Sequence, residues 1–151
     1  MMQENFFLYQ HKALRPLLVW GLLSSLGGTL LLFRPGLWRH FGLQALVWGV
    51  IDLLLAVAGR RGALRKAAAL AEGAIDAAGV TREARNFRTI LAVNSGLDLL
   101  YILIGLAVAV RWTERADRRG LGYGVALQGA FLLIFDGLLA RDVTQRLRQG
   151  P

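Results

Sequence analysis

Four stretches of this chain stay apolar for longer than a water-soluble fold tolerates. They cover residues 16–33, 41–58, 89–110 and 121–140, and each approaches the roughly 20 residues that a helix needs to cross a bilayer core of about 30 Å. The first, PLLVWGLLSSLGGTLLLF, holds no charged residue, and the others hold one aspartate apiece, Asp52, Asp98 and Asp136. Helices of a soluble bundle show a polar face at helical spacing, and these do not. The pattern predicts an all-α, polytopic membrane protein, a four-transmembrane-helix bundle forming one membrane domain over residues 1–151. Lys12 and Arg15 precede the first stretch as they would a signal peptide. Its apolar run is too long for one and lacks a small-x-small cleavage pattern, so it reads as a span.

Charge sets the expected orientation. Of the 18 Lys and Arg residues, the N-terminal segment, the 59–88 connection and the C-terminal segment hold Lys12, Arg15, Arg60, Arg61, Arg65, Lys66, Arg82, Arg85, Arg88, Arg141, Arg146 and Arg148. The 34–40 and 111–120 connections hold the rest. This bias places both termini and the long connection in the cytoplasm. The formal net charge of +8 then reflects membrane orientation, and the basic clusters should attract anionic lipid headgroups. A nucleic-acid surface would interleave aromatic residues with the basic ones, and the 59–88 segment has none before Phe87.

Residues 1–15 read as a short interfacial helix bearing Phe6, Phe7 and Tyr9, with Pro16 opening the first span. The Ala-rich segment after the second span reads as a cytoplasmic amphipathic helix over 61–78. Gly79 is its natural C-cap, and Thr81 the N-cap of the helix that follows. Small residues at helical spacing in the first span, Gly21, Ser24, Ser25 and Gly28, allow close helix approach. With the Ala-rich face they suggest a homo-oligomer, a dimer in the simplest case.

The second and fourth spans repeat each other. LQALVWGVIDLLLA (43–56) aligns without gaps to LQGAFLLIFDGLLA (127–140), pairing Gln44 with Gln128 and Asp52 with Asp136. Two spans per half give both halves the same orientation, so the bundle is expected to be two pseudo-repeated hairpins about an axis along the membrane normal. Gln44, Trp48 and Asp52 form one stripe of their helix; Asn94, Asp98, Tyr101 and Gly105 form another. Counting from the flanking arginines puts all three aspartates in the cytoplasmic half of the bilayer. A charged Asp there costs about 2.5–3.5 kcal/mol, so each needs a partner or a proton. Arg15 and His11 are the expected cationic partners, and Tyr101, Asn94, Gln44 and Gln128 can hydrogen-bond either protonation state.

Several chemistries lack their residues. The chain has no Cys, which removes thiol chemistry. His11 and His40, the two histidines, fall on opposite sides of the membrane and so do not pair on one haem. Ser24 and Ser25 have no base nearby, and GLGYG (120–124) lacks the lysine of a phosphate loop. DGLLAR, beginning at Asp136, matches the D-G-x-x-A-R letters of the CDP-alcohol phosphotransferases. That motif also needs an aspartate where Leu133 stands, and DVTQRLRQGP after Arg141 supplies no G-x-x-x-D-x-x-x-D helix. No catalytic residue, metal or cofactor is expected.

FGLQALVWGVIDLLLA, VNSGLDLLYILIG and GYGVALQGAFLLIFD, with their N-x-G-x-D and Q-G-x-F-x-x-x-x-D patterns, resemble an uncharacterised family of small bacterial four-helix membrane proteins, a domain of unknown function. The resemblance covers nearly the whole chain. It implies the four-span topology and a bacterial inner-membrane location, and it implies no activity. Two functional readings remain. In one, Asp52, Asp98 and Asp136 bind or transport a proton, a cation or a basic ligand. In the other, they only fix helix packing in an accessory protein that binds lipid or a membrane partner.

Overall fold

A computed structural model describes residues 5–149, and among them all regular structure is helical. The helices are α1 (Phe6–Ala13), α2 (Arg15–Leu31), α3 (Leu37–Ala71), α4 (Ala77–Arg111) and α5 (Ala116–Arg148). Four helical segments are long and apolar enough to cross a membrane: Phe6–Leu31, which joins α1 to α2, then α3, α4 and α5. Both ends of the described chain and the α3–α4 turn therefore lie at one end of the molecule, the terminal end.

The Ala-rich segment is not a separate helix over 61–78. Helix α3 runs unbroken through Gly59 and Gly62 to Ala71, and α4 starts at Ala77. The break falls at Gly73, whose φ of 76° suits glycine. The Asp76 side chain then caps α4 by accepting from the Gly79 N–H at 2.7 Å. Gly79 and Thr81 lie inside the first turns of α4 instead of capping anything; Thr81 Oγ1 donates to the Ala77 carbonyl. Each helical glycine costs about 1 kcal/mol. Packing offsets that cost at Gly59, which lies against Leu14 on the face that carries buried Ala63 and Ala67; Gly62 has no such contact. At 35 residues each, α3 and α4 reach about 50 Å, well beyond a bilayer core.

The N-terminal aromatic residues are also placed differently from an interfacial helix. Asn5 caps α1 by accepting from the Phe7 N–H, residues 1–4 lie outside the described residues, and α1 packs on α3. Phe7 is fully buried, and Tyr9 joins Ala84, Leu91, Leu139 and Val143 in a core cluster. Its hydroxyl bonds the Asp142 carboxylate, and Arg146 lies over its ring. The terminal end is thus a plugged apolar core, where burial of each large side chain contributes about 1.5–3 kcal/mol.

Helix α2 packs on α3, α3 on α5, and α5 on α4. The two helices that carry the repeat therefore meet at the centre, flanked by α2 and α4. Glycine sets the spacing within each hairpin. A Cβ on Gly28 would lie 2.5 Å from the Leu46 nitrogen, and one on Gly105 would lie 2.6 Å from the Gly122 oxygen. Gly42, which faces Gly28, and Ala126, which faces Gly105, occupy the same position of the repeat.

Candidate functional site

The buried polar side chains of the described residues are Asp52, Asp98, Asp136 and Gln128. They come from α3, α4 and α5, one per helix except for the pair on α5. The helical spacing that turns Asp52 and Gly49 inward leaves Ile51, Leu54 and Leu55 outward. The three aspartates gather closely enough to act on one another: the Asp52 charge reaches Asp98 and Asp136, and the Asp98 charge also reaches Asp136.

Asp52 is the best supported of the three. Gln128 Nε2 donates to its Oδ2 at 2.5 Å, and the Trp20 indole N–H donates to Gln128 Oε1 at 2.9 Å. One relay thus runs from α2 through α5 to α3. Asp136 lies within hydrogen-bonding reach of the Asn94 side chain on α4. Asp98, 2% exposed, has one carboxylate oxygen, Oδ2, that is buried and has no hydrogen-bond partner. Buried polar atoms nearly always find partners, so an orphan oxygen calls for an account.

Not every candidate joins the group. Gln44 does not mirror Gln128; its stem packs over Gly124 of α5. Tyr101 sets its ring against Trp48, 5.6 Å between centroids, and no hydrogen bond ties it to the aspartates. Neither expected cation arrives. Arg15 shares an outward face of α2 with Val19 and Leu22 and is exposed. His11 is held by Arg60, whose guanidinium donates to the His11 carbonyl at 2.8 Å and contacts Nε2 at 2.9 Å. Among the described residues, no basic side chain acts on the three carboxylates.

Trp20 is the member that sequence reasoning missed. A signal was there, since an indole N–H inside a span needs an acceptor. It also explains why the two repeats differ. Trp20 lies eight residues before Gly28, and the residue eight before Gly105 is Leu97, which faces outward and has no N–H to give. The relay can therefore be built on one side of the central helix pair only.

No curated protein and no solved structure matches the chain. The model of a family of unknown function, DUF6992, matches residues 16–137, a segment that includes Trp20, Gln128 and the three aspartates. That match spans most of the chain, and the protein is a member of the DUF6992 family.

Proposed function

We propose that this is a four-span bacterial inner-membrane protein, its terminal end in the cytoplasm, that binds protons at the Asp52–Asp98–Asp136 group as a binding or transport protein and not as an enzyme. The observation that carries this reading is the orphan oxygen of Asp98 beside two other buried carboxylates. Three negative charges in a low-dielectric bundle repel strongly, and among the described residues no cation acts on them. A proton removes a charge and turns a carboxyl into a donor. It needs one acceptor. A metal cage needs several donors around one point, and among the described residues no such group of three His, Cys, Asp or Glu is present. The bias of basic residues toward the terminal end supports the orientation.

Infrared titration of the membrane-reconstituted protein tests the reading. A protonated carboxylic acid has its own C=O band, which should rise and fall with pH and lose intensity in Asp98→Asn. If no such band exists, or if Asp→Asn at all three positions shifts the melting temperature and leaves the band intact, the carboxylates serve packing alone.

A further inference from the structure

We infer that the α4–α5 turn, with the helix ends that flank it, binds the phosphate of an anionic phospholipid in the leaflet opposite the terminal end. The inference rests on the four-span reading proposed above but not on proton binding. Two cations share one aromatic ring there. The Arg111 guanidinium lies 5.9 Å from the centroid of the Trp112 ring, and the Arg118 guanidinium lies 4.5 Å from it. Arg111 ends α4 and Arg118 stands in the first turn of α5, so the ring gathers positive charge from both helices.

The acids of the turn do not balance this pair. Asp117 is held by Arg115 through two hydrogen bonds, of 2.8 Å and 3.1 Å, and its carboxylate also takes the Arg118 N–H. Glu114 is exposed. Among the described residues it makes no ion pair, and neither Arg111 nor Arg118 has an acidic partner. Two like charges over one ring repel, and the dipole of α5 opposes a cation in its first turn. An anion between the guanidiniums relieves both effects. Arg119 fixes the turn that presents them, its Nη1 donating to the Thr113 carbonyl at 3.1 Å. Its buried Nε has no acceptor among the described residues, a further unmet donor at the same turn.

Depth selects the source of the phosphate. Leu103 and Ala107 share a stripe of α4 with Arg111 and are exposed, as is Val110 beside it. Trp112 and, at the same end, Trp38 are 36% and 55% exposed, as indoles are where acyl chains give way to headgroups. The two guanidiniums therefore stand at headgroup depth, directly above an apolar helix face. A diacyl lipid places its phosphate at the cations and its chains along that face. A soluble anion would satisfy the cations and leave the face bare. A zwitterionic lipid carries its own cation beside the phosphate, which competes with the arginines.

Tryptophan quenching in nanodiscs tests the site, taking Trp112 emission as the difference between the native chain and Trp112→Phe. Brominated phosphatidylglycerol should quench Trp112 more than brominated phosphatidylcholine at equal mole fraction. Arg111→Gln and Arg118→Gln should each cut that preference about fivefold, the worth of one cation near a lipid surface. Arg118→Lys keeps the charge and should retain most of the preference, which separates charge from damage to the turn. Arg141→Gln, at the terminal end, should leave it unchanged. A preference that survives the double Arg→Gln substitution overturns the site, as does an equal loss in Arg118→Lys and Arg118→Gln. Loss of the preference on adding inorganic phosphate would put a soluble anion there and overturns it too. Equal quenching by both lipids overturns the site alone, whereas quenching by neither overturns the four-span reading with it.

Discussion

Gln128 is asked to do two things at once, accepting from Trp20 on α2 and donating to Asp52 on α3. Gln128→Leu would strand both partners in the bundle. Interhelical hydrogen bonds in membranes average about 0.6 kcal/mol, with a maximum near 1.7, and a buried group left unsatisfied costs about 1–3 kcal/mol. We expect Gln128→Leu to lower the detergent melting temperature clearly, and Gln44→Leu, at the matching repeat position, to lower it much less. Equal losses in thermal unfolding would show that the two glutamines share one role. The three aspartates were legible because a lone acid in an apolar span is expensive wherever it sits. Of the neutral partners expected, Gln128 does reach Asp52, whereas the expected cationic partners do not arrive. Sequence spacing ranks Arg15 near the right depth, but its side chain points out with Val19, and only the rotation of α2 about its axis decides that.

At the scale of the helix, glycines divide by what they face. A Cβ at Gly28 would meet the backbone of Leu46, whereas one at Gly27 would have nothing within 4 Å. Gly28→Ala must force α2 and α3 apart or strain them, at about 1–3 kcal/mol. Gly27→Ala should be neutral or slightly stabilising. Thermal denaturation of the two variants side by side checks this, and a destabilised Gly27→Ala would place a contact where the structure has none. The four long apolar helices were legible because apolar length alone marks them. The α3–α4 boundary was misread because charge and alanine content change at Arg60 although the helix does not. The sequence marker of the true break was EGAID, Gly73 for the left-handed turn and Asp76 for the cap, and the Ala-rich pattern around it masked that signal.

For the whole molecule, the helix order α2–α3–α5–α4 puts the repeated pair in the middle. The repeat showed that the two halves correspond but could not show which helices meet. Close approach of Gly120 and Gly124 on α5 to Leu37 and Gln44 on α3 settles that. The absence of native Cys makes the orientation easy to check. Single cysteines at Glu72, in the α3–α4 turn, and Glu114, in the α4–α5 turn, should label from opposite faces of intact membranes, with Glu72→Cys reached from the cytoplasm. Labelling of both from one face would rule out the four-span topology.

Helix α3 carries Asp52 and Ala71 on one unbroken rod, and α4 does the same for Ala77 and Asp98. The tips stand roughly 28 Å and 31 Å from those carboxylates at 1.5 Å per residue, and an ion pair between Lys66 and Glu83, 2.6 Å apart, clips the two rods together near their ends. A force that tilts these tips acts on two of the three buried acids through continuous helices.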